Sequence, residues 1–249
     1  MEPWHYPLLA AVGAVAGFIN VMAGGGSLLT MPVMMIFLGF TPAAANGTNR
    51  VALLLQNVTA VTSFRRSGFS DLKLSLTLAL CTVPGAVAGA VAAVEIDPLW
   101  FKRLLAAVMI AVMVVTLRRP RSAAGDSGEA GRAGLILAHL SMLGIGFYGG
   151  FIQAGVGFIL MAALRGLLRL DLVRVNMHKV FIVGLYMIPT LLVFAWLDQV
   201  RWIAGLALAL GTVAGAYLAT RLQIKRGEGP VRVVFAAAVL ALALRLAIG

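Results

Sequence analysis

Ten apolar runs follow one another along the chain with little between them, at about 7–22, 28–40, 42–64, 73–94, 99–117, 133–152, 157–169, 172–197, 201–221 and 230–248. A water-soluble fold of 249 residues cannot hide that much apolar surface, and 61% hydrophobic with 12% charged residues lies far from the roughly 45–50% and 25% of soluble domains. At about 20 residues per crossing, the length allows roughly eight spans and no sizeable soluble domain. The chain reads as an all-α polytopic membrane protein whose main partner is the lipid bilayer.

The 20 Lys+Arg against 9 Asp+Glu leave a net charge of +11. In a soluble protein this would point to nucleic acid. Here the basic residues are scattered through short loops, as cytoplasmic anchors are, with no cluster interleaved with aromatics, so nucleic acid is not an expected partner. The single cysteine, Cys81, falls in an apolar run and excludes an intramolecular disulfide. Ala23 precedes a glycine run as a cleavage site would, but Glu2 stands before it with no Lys or Arg. That is the wrong charge for a signal peptide, so the first run is expected in the mature protein.

One stretch has linker character, RRPRSAAGDSGEAGR at 118–132, and it divides the chain into two similar halves, 1–117 and 133–249. GFINVMAGGGSLL from Gly17 lines up with GFYGGFIQAGVGFIL from Gly146. Thr41, Asn46 and Asn49 line up with Asp171, Asn176 and Lys179 at an offset of 130 residues. GAVAGA at 85–90 matches GTVAGA at 211–216, and Lys102–Ala107 matches Arg232–Ala237. Four patches in one order read as a fused duplication.

Each half opens with a run of about 13 residues, 28–40 and 157–169, too short to span about 30 Å at 1.5 Å per residue. Each follows a glycine break, Gly24-Gly25-Gly26 or Gly155-Val156-Gly157. The break is either a kink in one span or the tip of a hairpin that enters the membrane and returns. Charge separates the two. With Arg50 and Lys179 set aside as intramembrane, a kink divides the other 18 basic residues 9 to 9, whereas a re-entrant hairpin divides them 14 to 4. Only the second obeys the positive-inside rule. Each half then has a hairpin and three crossings, the linker is cytoplasmic, and an odd number of crossings makes the repeats inverted. Inverted repeats with broken helices are a recurring plan of secondary transporters.

The breaks are the first candidate site. Irregular backbone at membrane depth must face protein or a watery cavity. The helices resuming near Ser27 and Phe158 aim free N–H groups and positive dipole ends there, which suits an anion. The plainer alternative is that the glycines serve close helix packing. The next span carries Asn46, Asn49, Arg50, Gln56 and Asn57, mirrored by Asn176, His178 and Lys179. Thr41-Pro42 and Asp171 sit where N-caps belong, placing Arg50 and Lys179 roughly 10 Å along their helices. A cation at a helix centre costs about 2.5–3.5 kcal/mol. Two at near-matching positions, each beside an Asn, point to a pocket for a negative substrate.

His178 is either a proton switch or a packing residue. His139 reads as structural, and Asn20 and Gln153 flank the breaks. Gly85, Gly89, Gly211 and Gly215 have small-xxx-small spacing for helix packing, and Pro32, Pro84 and Pro189 read as kinks. All nine carboxylates fall in loops or at span ends, leaving none mid-membrane for a proton or sodium relay. Export of an anion needs no such relay. An inside-negative potential supplies about 2.3 kcal/mol per charge per 100 mV.

The stretches AGGGSLLTMP (Ala23–Pro32), ANGTNR (Ala45–Arg50), GFIQAGVGFIL (Gly150–Leu160) and VNMHK (Val175–Lys179) resemble the TauE/SafE sulfite exporter family, also called the TSUP anion transporters. The likeness runs from about Gly13 to Ala247. It implies a bacterial inner-membrane permease exporting sulfite, a sulfonate or another sulfur-containing anion. Asn49-Arg50 departs from the small or hydroxyl residue common after ANGT, and the extra cation suits a more highly charged substrate.

The expected substrate-binding residues are therefore Gly24, Gly25, Gly26, Ser27, Asn46, Asn49, Arg50, Gly155, Gly157, Asn176, His178 and Lys179. No catalytic, metal or cofactor site is expected, and a homo-oligomer is allowed. Two other readings stand beside the exporter: an anion channel, and an intramembrane serine hydrolase using Ser27 and His178.

Overall fold

The computed structural model describes residues 2–117, 131–223 and 242–243, and every regular element among them is a helix. These are α1 (His5–Ala23), α2 (Ser27–Phe37), α3 (Pro42–Arg66), α4 (Leu72–Glu95), α5 (Pro98–Leu117), α6 (Arg132–Phe151), α7 (Val156–Leu168), α8 (Leu172–Trp196) and α9 (Trp202–Gln223). Most of the 118–132 linker, most of the last apolar run and the Arg232–Ala237 repeat match lie outside the described residues.

Local chemistry sets where the long helices begin. Thr41 has extended backbone, its hydroxyl accepts from the Ala44 N–H at 3.2 Å, and Pro42 occupies the first helical position of α3. Asp171 does the same for α8, accepting from Val173 and Arg174 N–H at 2.9 and 3.0 Å. Among the described residues four helices, α4, α6, α8 and α9, are long and apolar enough to cross a membrane. The surface confirms the solvent for which the bundle is built. Trp196, Leu210 and Ile203 are 90%, 75% and 69% exposed, whereas Arg50, Asn46 and Gln56 are 0% exposed. Apolar outside and polar within suits lipid.

Helix pairing follows the glycines. A Cβ added to Gly85 or Gly89 on α4 would fall about 2 Å from the carbonyls of Leu143 and Phe147 on α6. Gly211 and Gly215 on α9 meet the carbonyls of Ala10 and Ala14 on α1 as closely. The backbones touch, as small-xxx-small spacing allows. The remaining glycines of these helices make equally close contacts. Gly13 and Gly17 face Leu208 and Thr212, while Gly146 and Gly150 face Thr82 and Ala86. Gly17 and Gly146 thus meet Thr212 and Thr82, partners at the same offset of 130 residues as Thr41 and Asp171, whereas a pairing of Gly85 with Gly211 stands one helical turn out of step with them. Glycines repeated every turn look alike in sequence, and only backbone contact decides which turn is which.

At both breaks the chain doubles back. Gly134, near the start of α6, lies against the Leu167 carbonyl at the end of α7, and Gly26 lies against the Ala16 carbonyl of α1. That is hairpin geometry. Along α3, contacts pass from Gly47 through Arg50 to Asn57 while their partners on α8 fall from Phe194 through Thr190 to Gly184. The two helices therefore cross antiparallel. α1 runs parallel to α9, and α6 to α4, since contacting residue numbers rise together. Following these directions puts Trp4, Trp100, Trp196 and Trp202 at one end of the bundle, each at least 53% exposed, as an interfacial aromatic belt requires. Arg65, Arg66, Lys73, Arg132, Arg165, Arg169, Arg174 and Arg221 gather at the opposite end. Lys102, Arg103 and Arg201 share the tryptophan end.

Candidate functional site

The two breaks are built from left-handed backbone. α1 stops at Gly24, φ +87°, whose N–H turns back to the Ile19 carbonyl, and the Gly26 N–H bonds the Asn20 side-chain oxygen at 3.3 Å. α7 starts after Gly155, φ +78°. Two residues earlier Gln153 holds φ +63°, a conformation costly for a side chain with a Cβ, and its amide oxygen accepts from the Tyr186 hydroxyl at 2.9 Å. The tips of the hairpins meet. A Cβ on Gly24 would lie 2.4 Å from the Gly157 Cα, and the reverse distance is 2.3 Å. Close packing is thus one function of these glycines. The N–H groups of Leu28, Leu29 and Phe158 bond Gly25, Gly26 and Gly155 carbonyls, so the first turns of α2 and α7 already satisfy some of the donors expected to face an anion.

All twelve candidate residues are buried, but they form separate groups rather than one pocket. Arg50 sends Nη1 to the Thr190 hydroxyl at 2.9 Å and Nη2 to the Asn46 amide oxygen at 3.2 Å, and Nη2 also donates to the carbonyls of Gly149 and Gly150. Its guanidinium carbon lies 4.6 Å from the Phe194 ring centroid. Asn46 donates to the Phe151 carbonyl at 2.8 Å. Lys179 donates to the carbonyls of Asn20 and Val21 at 3.3 and 3.0 Å and to the Asn176 amide oxygen. The two cations are arranged alike. Each reaches the last turn of the other half's first helix, just before its break. A cation there meets the negative end of the helix dipole and its unbonded carbonyls.

Thr190, beside Arg50, and Lys179 stand eleven residues apart on α8, about 16 Å of helix. The cations therefore hold two stations along one seam. Asn49 forms a third group, donating to the Ser27 hydroxyl at 2.9 Å and accepting from Thr30 at 2.7 Å, which ties α2 to α3. His178 stands apart from all of these, its Nδ1 2.8 Å from the Ser75 hydroxyl on α4. Ser27 and His178 are thus bonded to different partners, and the pair a serine hydrolase needs is not assembled. His139 bonds the Leu135 carbonyl and Thr77.

Sequence reasoning passed over Thr30, Tyr186 and Thr190. Tyr186 and Thr190 follow Asn176 and Lys179 down one face of α8 at helical spacing, so the signal was a polar residue recurring in an apolar run. The Gly149 and Gly150 carbonyls carry no side-chain signal at all. Among the described residues the ion pairs are Arg174–Asp171 and Arg201–Asp198, both near helix ends, and no carboxylate touches Arg50.

A bundle that turns aliphatics outward, buries an arginine among neutral groups and brings two broken helices tip to tip is a multi-pass membrane protein with a polar interior. Comparison with known sequences agrees. The family model described as Sulfite exporter TauE/SafE matches residues 9–246. A probable membrane transporter protein, ORF9, of Sinorhizobium sp is 30% identical, covering 99% of this chain and 95% of its own. A probable membrane transporter protein of Haemophilus influenzae is 28% identical over 90% and 88% of the two chains. The probable membrane transporter protein YfcA of Escherichia coli K12 is 28% identical over 93% and 86%. No solved structure matches significantly. The chain belongs to the TauE/SafE family and is a membrane transporter.

Proposed function

We propose that the protein exports a small anion, a sulfur oxyanion such as sulfite or a sulfonate, across the inner membrane. The observation that carries this reading is Arg50: fully buried and, among the described residues, in contact with neutral groups alone and with Nε lacking a hydrogen-bond partner. Helix-end carbonyls offset the cost of burying the guanidinium without cancelling its charge. A passing anion supplies what they do not. Lys179 offers a second cationic station, and Asn46, Asn176, Asn49, Ser27 and His178 line the polar interior with the glycine breaks Gly24–Gly26 and Gly155–Gly157.

The halves, 1–117 and 133–249, act as inverted repeats about a cytoplasmic linker at 118–132. The antiparallel crossing of α3 and α8, hairpins meeting at their tips, and basic and tryptophan-bearing ends on opposite sides support this arrangement. With the basic end in the cytoplasm, the membrane potential drives anions outward.

The test is transport of labelled sulfite, thiosulfate, sulfate, sulfoacetate and small carboxylates by purified protein in liposomes under an imposed potential. Saturable, potential-driven flux of at least one sulfur-containing anion, with counterflow of unlabelled substrate, is the expected result; counterflow sets a carrier apart from a channel. Arg50→Ala and Lys179→Ala each lose it. Parent-like flux in both variants removes the assignment.

A further inference from the structure

Gln56 has no exposed surface, and neither its Nε2 nor its Oε1 meets a hydrogen-bond partner among the described residues. Two other buried side chains leave one polar atom unpaired, Arg50 at Nε and Asn176 at Nδ2, but Gln56 leaves both ends of its amide so. Buried polar groups are paired almost without exception, because an unpaired one loses its water and gains nothing. An amide kept in this state, at a cost in stability, calls for a role.

Its position supplies one. On α3, Arg50 meets Thr190 of α8, and Asn57 lies beside Gly184, where an added Cβ would come within 3.3 Å. Ala60 packs in one cluster with Val180, the neighbour of Lys179, and with Val21, whose carbonyl Lys179 holds. Gln56, adjacent to Asn57, is therefore at a height midway between the two cations. It also follows Asn49 by seven residues, two turns along the same face, and Asn49 grips Ser27 and Thr30 just past the first break.

We infer that Gln56 is a substrate-coordinating residue between the Arg50 and Lys179 stations, touching the anion as it passes from one to the other. This rests on the anion-transport reading above. A third cation at the midpoint would hold the anion too firmly, and an aliphatic side chain would leave it unsolvated. Conduction needs intermediate sites strong enough to receive and weak enough to release. A neutral amide meets both demands: Nε2 donates to an oxyanion oxygen, and Oε1 accepts from an oxyanion that retains a proton. The ligand class is a small, singly protonated or fully deprotonated oxyanion.

Gln56→Met keeps the volume and removes the amide. Anion efflux from proteoliposomes and thermal stability in detergent are measured for the parent, Gln56→Met, Gln56→Asn and Gln56→Glu with sulfite, thiosulfate and sulfoacetate. The inference expects Gln56→Met to melt no lower than the parent, since no protein hydrogen bond is lost, while efflux falls at least tenfold. Gln56→Asn regains part of the flux and Gln56→Glu, which places a negative charge on the path, abolishes it. Parent-like efflux in Gln56→Met or Gln56→Glu overturns the inference, and so does a Gln56→Met variant that melts well below the parent. If the parent itself carries none of the three anions, the proposed function fails instead.

Discussion

Among the described residues, Arg50 owes its burial to backbone and neutral side chains rather than to acid. A guanidinium inside a bundle is ordinarily matched by a carboxylate, and the pair is then electrically closed. Here the acceptors are the carbonyls of Gly149 and Gly150, the Asn46 amide and the Thr190 hydroxyl, which stabilise the cation yet leave its charge uncancelled. The planar fork matters because two nitrogens serve groups on three helices, α3, α6 and α8. Arg50→Lys keeps the charge and loses the fork. It is expected to weaken anion affinity roughly tenfold to a hundredfold, from hydrogen bonds to a charged group worth about 1.5–3 kcal/mol; titration of the liposome flux checks this, and unchanged half-saturation would show that charge alone suffices. Asn46 and Arg50 were legible as part of a polar stripe recurring at helical spacing, whereas Thr190 was passed over. The carbonyls were not legible, because every residue has one and only the fold says which are left unbonded.

The broken helices combine local chemistry with one long-range contact. Short runs, N-caps at Thr41 and Asp171, and glycine breaks were all readable, since each is local chemistry. That the glycines of opposite halves touch was not. Gly24→Ala combines a left-handed φ of +87° with a Cβ 2.4 Å from the Gly157 Cα. It is expected to cost about 2–5 kcal/mol, from strain and overpacking together. Gly39 has φ +66° with nothing within 4 Å of an added Cβ, so Gly39→Ala incurs only the backbone strain of about 1–2 kcal/mol. Melting temperatures in detergent should separate the two clearly. Equal losses would mean that the tips are not in contact.

For the whole molecule, the hairpin reading came from a count of basic residues, and the bundle carries the same asymmetry in space, opposed by four tryptophans at the other end. Inversion of the halves requires the linker and the C-terminus to lie on opposite sides of the membrane. In a Cys81→Ser background, a cysteine placed at Arg132 should react with a membrane-impermeant maleimide only from the cytoplasmic face, and one at Gly249 only from outside. Reaction of both from one side would rule out the inverted arrangement.

Hydrophobic run length, helix caps, charge asymmetry and the recurring glycine and asparagine motifs belong to the sequence, because each depends on residues near one another or on their simple sum. The meeting of Gly24 with Gly157, the separation of Arg50 from Lys179 and the burial of the Gln56 amide away from any partner among the described residues belong to the tertiary structure. Each is a distance between residues far apart in the chain, set by how closely glycine lets two backbones approach.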